Sequence, residues 1–173
     1  MSTNIDVVLQ TIRAVEQRDP QVLFALYDPH VELCDAPSLP YGGTRSGIDD
    51  IRESLELDPG RTWLGTWGPL QPTEAERSMD ARVIAANDSE VVVIYRQRGL
   101  SFAGERFDAP VLALYEVRDG RFARAQMFHF DTAAVVEFLD RAKRRPDLGA
   151  PPVKDGFRHP ARSDGDPAKF GRG

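Results

Sequence analysis

Apolar residues near the start of the chain recur with a helical period. Ile5, Val8, Leu9, Ile12 and Val15 fall at i, i+3, i+4 and i+7, which predicts an amphipathic helix over 4–18. Gln10, Arg13, Gln17 and Arg18 lie elsewhere on it, and Thr3 or Asn4 supplies the cap. Asp19-Pro20 then reads as an N-cap followed by proline at the first helical position, opening a short helix with Val22, Leu23 and Leu26. That helix has to stop before Asp28-Pro29. From His30 to Asp35 the period changes to two, with Val31, Leu33 and Asp35 on one parity and Glu32 and Cys34 on the other. Residues 36–47 have the Pro/Gly composition of a loop. Ser46 with Asp49 resembles a capping box for a helix holding Ile48, Ile51 and Leu55, which Asp58-Pro59-Gly60 ends. Residues 61–72 carry both tryptophans in a segment broken by Gly and Pro. Strands are expected at about 75–86, at Val91–Tyr95, at about 105–117 and over 121–130, the last two joined by an Asp119-Gly120 hairpin. Asp131 caps a final helix bearing Val135, Val136 and Leu139. The order is α-α-β-α-β-β-β-β-α.

Past this helix the periodicity ends. From Arg145 onward prolines and glycines alternate with few apolar residues, so a domain over 1–144 and a disordered tail over 145–173 are expected. Its basic residues could form a docking arm, against the plainer reading of a solvated tail. The 173 residues suit one domain, and 41% apolar with 28% charged is ordinary for a chain that buries a core. No apolar run approaches a membrane span, and the first ten residues lack the pattern of a secretory signal. The single cysteine, Cys34, excludes an internal disulfide framework, and a cytoplasmic location is the expectation. A net charge of −5 argues against binding nucleic acid by phosphate neutralisation.

The element order resembles the cone-shaped α+β fold of the nuclear transport factor 2 superfamily. Particular stretches are similar to its SnoaL-like and ketosteroid-isomerase-like branch: Val22–Tyr27 leading into Val31–Asp35, the Tyr41–Ile48 loop, Ala109-Pro110, and Phe128-His129-Phe130-Asp131. The resemblance spans about 4–140. It implies a curved antiparallel sheet wrapped over the N-terminal helices around a pocket for a small apolar molecule. It also implies a homodimer through the outer sheet face and chemistry that needs no cofactor. The superfamily includes isomerases, cyclases, hydrolases, dehydratases and members without catalysis, so fold alone does not settle activity.

Asp35 is the leading candidate for chemistry. Its parity with Val31 and Leu33 sets it on the pocket wall, where apolar surroundings raise a carboxyl pKa toward that of a useful general base. The resemblance matches it to the proton-shuttling aspartate of ketosteroid isomerase; the alternative is a turn aspartate before Ala36-Pro37. That isomerase's two oxyanion donors match Ile12 and Leu112 here, neither of which donates, so a true ketosteroid isomerase is not implied. The limonene-epoxide-hydrolase pattern wants a carboxylate two residues after Arg96, where Arg98 stands.

His129 is the second catalytic candidate, able to serve as acid, base or oxyanion donor. Alternation pairs it with Met127 and opposes Phe128 and Phe130. The count from Asp119-Gly120 to Asp131 is one residue longer than the family's, which suggests a bulge that would reverse the inward set. Tyr27, Tyr41, Trp63, Trp67 and Tyr95 are candidate ligand contacts with polar handles, the tryptophan pair suggesting a lid. Arg96 is a pocket cation if it faces inward and a structural ion pair with Glu105 or Glu116 if it does not. Met127 completes the expected lining. The three histidines are scattered, so no metal site is expected, and Cys34 reads as packing. Two readings stand: an acid–base enzyme in which Asp35 moves a proton, and a non-catalytic dimeric module that binds a ligand or partner.

Overall fold

The computed structural model describes residues 3–143, and the expected tail over 145–173 lies outside the described residues. Helix α1 (Asn4–Gln17) starts at a capping box between Thr3 and Asp6 and ends at Arg18, whose left-handed backbone (φ 57°, ψ 41°) turns the chain sharply. Asp19 caps α2 (Pro20–Leu26) by accepting from the Gln21 and Val22 amides at 3.1 and 3.0 Å. Strand β1 (Tyr27–Asp35) begins at once, three residues earlier than the alternation predicts, and runs through Asp28-Pro29.

Within the expected 36–47 loop lies a four-residue strand, β2 (Gly43–Ser46), antiparallel to the end of β1. The predicted Ser46 cap is also corrected. Helix α3 (Ile48–Leu57) starts from Gly47 (φ 90°) with no side-chain cap, and Asp50, rather than Asp49, accepts from the Ser46 amide at 3.3 Å. The tryptophan segment is not a loop either, since it folds into α4 (Trp63–Trp67) between two single 3₁₀ turns, Pro59–Arg61 and Gly68–Leu70. The strand expected from residue 75 is replaced at its start by α5 (Glu74–Arg77), because Thr73 and Glu76 close a second capping box. Extended structure resumes as β3 (Arg82–Ala86), then β4 (Glu90–Leu100), β5 (Arg106–Arg118) and β6 (Arg121–His129), before α6 (Thr132–Lys143). Asp119 and Gly120 both take positive φ, 51° and 72°, as a tight two-residue hairpin requires. Asp131 caps α6 through the Ala134 amide at 2.9 Å.

The fold is α+β, with N-terminal helices against a six-stranded curved sheet in the order β2-β1-β6-β5-β4-β3. Every neighbouring pair is antiparallel except β1 and β6. The bulge suggested by the residue count exists, and it sits early in β6: Val117 pairs with Phe122 while Glu116 pairs with Arg124. Phe122 and Ala123 therefore both point inward, and alternation is regular from there to the end of the strand. Met127 and His129 face the helices opposite Ala113 and Val111, while Phe128 is 46% exposed on the other side.

Two apolar clusters result. The larger joins Val8 and Ile12 of α1 to Val31, Val93, Val111 and Phe122 of the sheet. The smaller gathers Leu39, Tyr41, Trp67, Leu70 and α6's Val135, Phe138 and Leu139 at one end. Gly99 lets them meet: a Cβ there would lie 2.9 Å from Trp67 Cζ3 and 3.2 Å from Phe138 Cε1. Among the described residues no helix is long and apolar enough to cross a membrane.

Candidate functional site

Strands β1 and β6 are parallel neighbours, with Leu33 beside Ala125 and Cys34 beside Gln126. Their C-terminal residues, Asp35 and His129, consequently reach the same end of the sheet on its helix-facing side. The Asp35 carboxyl is 9% exposed and the His129 ring 3%, and Nε2 lies 4.0 Å from Oδ1. That is too long for a direct hydrogen bond, and neither atom has another partner among the described residues. Unpaired buried polar atoms are uncommon and costly, and two of the four among the described residues meet in this pair. Burial raises the Asp35 pKa above its ordinary value, and the nearby His129 and Arg45 side chains offset only part of that.

Asp35 opens onto a cavity of about 250 Å³ between the sheet and α1, α2 and α3. Its wall is mostly apolar, including Val15, Leu23, Phe24, Leu33, Ile51 and Leu55, and Tyr27 also lines it. An apolar cavity of roughly 150 Å³ accommodates benzene, so this one has room for a molecule of one or two rings. Its polar and charged members come from different elements and include Arg18, Asp19, Asp35, Tyr41, Arg45 and Trp63.

Tyr41 is 3% exposed, and its hydroxyl accepts a 3.0 Å hydrogen bond from Trp67 Nε1. With the oxygen's lone pair so engaged, its own proton is left to donate. Burial raises the Tyr41 pKa and the Asp35 charge raises it further, outweighing Trp67, so the phenol keeps that proton. This arrangement corrects the expectation for Trp67. It is no lid: its side chain is fully buried, stacks on Phe138 at 5.9 Å and orients Tyr41. Trp63 does line the cavity, held by a 2.8 Å hydrogen bond from Nε1 to the Gln97 side-chain oxygen.

Arg96 is likewise corrected. It lies on the outer sheet face, bonded to Asp108 at 2.7 Å, with Arg98 sharing Asp108 and reaching Asp80. The partners are thus Asp108 and Asp80, rather than Glu105 or Glu116. Tyr95 and Met127 face the helices and pack in or against the larger cluster, with the Tyr95 hydroxyl pKa pushed well up by burial and by neighbours that include Asp35. Leu112 belongs to the outer parity of β5 and Ile12 to the core, so neither borders Asp35 as a donor. Cys34 is on the outer side, where Thr44 donates to its sulfur at 3.6 Å. Among the described residues no group of three or more His, Cys, Asp or Glu is placed to hold a metal.

Arg18 and Arg45 are the residues the sequence reading missed. Arg18 belongs to the polar side of α1 by periodicity, but the chain turns at its left-handed Cα and its side chain lines the cavity. Arg45 sits on β2, and no alternation signals a strand there. Its guanidinium is fixed by Ser54 Oγ at 3.0 Å and by the Arg61 carbonyl.

The model of the SnoaL-like domain family matches residues 8–125. None of the curated proteins matches the sequence significantly. Solved structures are similar in fold at low identity. Bal32a, from a soil-derived mobile gene cassette, is 22% identical with a TM-score of 0.61, over 79% of this chain and 95% of its own. TerC, crystallised with polyporic acid, is 20% identical with a TM-score of 0.58, over 79% of this chain and 98% of its own. A Pseudomonas putida protein described provisionally as a polyketide cyclase is 17% identical with a TM-score of 0.54, over 78% of this chain and 96% of its own.

Proposed function

Because the chain belongs to the SnoaL-like domain family, we propose that it is an acid–base enzyme of the isomerase, cyclase or epoxide-opening type. It works through its own side chains on a small, largely apolar molecule of the polyketide or terpenoid kind. The observation that carries this reading is the Asp35 carboxyl: buried at the cavity wall, unpaired at Oδ1 and raised in pKa. The neighbours crystallised with polyporic acid or described as a polyketide cyclase support a ring-bearing ligand in this fold.

In this reading Asp35 removes a proton from carbon next to a substrate carbonyl, and the carbonyl oxygen becomes an enolate as the C–H pair shifts inward. The Tyr41 hydroxyl, held by Trp67, donates to that oxygen. His129 adjoins that carboxyl, with Nε2 4.0 Å from Oδ1. Isomerisation follows if Asp35 returns the proton to another carbon. Cyclisation follows if the enolate carbon attacks a second carbonyl of the same molecule, whose oxygen then takes the proton. In epoxide opening the same carboxylate takes a proton from the attacking hydroxyl as its oxygen bonds to the epoxide carbon, the ring C–O bond breaks, and the released oxygen takes that proton back from Asp35.

The test is proton exchange or ring closure in a panel of enolisable ketones, phenols and epoxides, followed by NMR in deuterated water. Asp35→Asn should slow turnover by roughly 10²–10⁴, the usual worth of a positioned base; full retention removes Asp35 from that role. The second reading, a dimeric module that binds without catalysis, is favoured by the apolar Ile12 and Leu112 at the family's donor positions. It predicts ligand binding with no exchange in the wild type, and a second copy over the outer sheet face that exposes Phe128.

A further inference from the structure

Arg18 is a cation in an unusual position. It is half-buried at the cavity, and burial, reinforced by Arg77, pulls its pKa down from the ordinary arginine value. One terminal nitrogen, Nη2, donates to the Gln71 side-chain oxygen, and Gln71 is held in turn by the Arg98 carbonyl at 2.8 Å. The guanidinium carbon lies 5.4 Å from the Trp63 ring centroid, and Trp63 is itself fixed by buried Gln97. The other terminal nitrogen, Nη1, is buried and has no partner among the described residues. The nearest carboxylate in sequence, Asp19, is spent on the α2 N-terminus, and none of the ion pairs among the described residues includes Arg18.

A desolvated guanidinium that lines a cavity and keeps one donor nitrogen without a partner is costly unless an anion completes it. Resting on the reading of the cavity as a ligand pocket, we infer that Arg18 is the anion anchor of this site. Its ligand is a one- or two-ring molecule carrying a carboxylate or phenolate, whose oxygen accepts from the Arg18 guanidinium while the ring system lies along the apolar wall. Trp63 and Gln71 are positioning residues for that guanidinium. Asp35 then works on a part of the molecule separate from the anion, which keeps two negative charges apart.

Naphthalene-2-carboxylate and the neutral naphthalene-2-carboxamide, nearly equal in size, test the inference by titration calorimetry at pH 7. The carboxylate should bind ten- to a hundredfold more tightly than the amide, as a charge-assisted pair in a desolvated site does. Arg18→Met should abolish that preference by lowering carboxylate affinity far more than amide affinity, and Arg18→Lys should restore part of it. If the methionine variant does not fold, nitrogen NMR of the wild-type arginine side chains decides, because carboxylate but not amide should shift the Arg18 guanidinium signals. Equal binding of the two probes, or a preference that survives Arg18→Met, overturns the anchor and leaves the cavity reading standing. Binding of neither probe overturns both.

Discussion

Gly99→Ala isolates the packing contact on which the Tyr41 donor depends. Gly99 has no unusual backbone angle, so alanine suits the strand and gains about 0.4–1 kcal/mol by restricting the unfolded chain. Against that gain, the new methyl would stand 2.9 Å from Trp67 Cζ3, 3.2 Å from Phe138 Cε1 and 3.3 Å from Trp67 Cε3. Neither ring can yield easily, because Trp67 is 0% and Phe138 1% exposed and the two are stacked on each other. Overpacking a closed core costs about 1–3 kcal/mol, so the net is a loss of about 1–2 kcal/mol. For 173 residues that lowers Tm by roughly 2–8 °C. Thermal unfolding followed by circular dichroism measures it. Near-ultraviolet tryptophan signals should change at the same time, since Trp67 must shift and with it the bond to Tyr41. Trp67→Phe removes the indole atoms nearest the new methyl, so adding Gly99→Ala to that background should cost less than it does alone. A Gly99→Ala protein as stable as the wild type, or an equal cost in both backgrounds, refutes the contact as the cause.

Two further outcomes follow from the buried pair and its neighbour. Because the folded Asp35 carboxyl titrates above its unfolded value, its neutral form stabilises the fold fully below about pH 4, and that stability is lost as pH rises through the raised value. Denaturant titrations should therefore show Asp35→Asn gaining on the wild type as pH increases, levelling off once Asp35 is ionised; a difference that shrinks with pH contradicts the burial argument. Tyr41→Phe should lower kcat by roughly 10²–10³ with little change in KM if the hydroxyl meets an oxyanion, and equal losses in binding and turnover would reduce it to a ligand contact.

The parts of the site that could be read in advance are those set by local periodicity. Val31, Leu33 and Asp35 alternate in a strand whose face is decided by Val31, buried completely, so Asp35 had to arrive at the helix side. His129 needed one more fact. Its direction hung on where in β6 the extra residue was absorbed, and pairing across to Glu116 and Val117 decides that, not the β6 sequence. Strand β2 was hidden because Gly43–Ser46 has no apolar alternation and owes its extended form to β1 alongside it. Trp67 and Trp63 look equivalent in a Gly/Pro-broken segment, yet one turn of helix buries the first inside the α6 cluster and leaves the second packed against that cluster and lining the cavity.

Arg18 shows why a polar position on a helix wheel is weak evidence for solvent. The wheel assumes that the helix continues, but α1 ends at Arg18, and the residue that ends a helix in a left-handed conformation no longer follows its period. The same turn frees Asp19 to cap α2, whose Leu23 and Phe24 wall the cavity. One backbone reversal thus builds part of the apolar wall and delivers the cation to it, while the same cavity receives Asp35 from β1. The charges come from elements fixed by different contacts, Gln71 and Trp63 for one and the β1–β6 pairing for the other. Substituting either should leave the other in place, so losses in ligand charge preference and in proton transfer should separate cleanly between Arg18 and Asp35 variants.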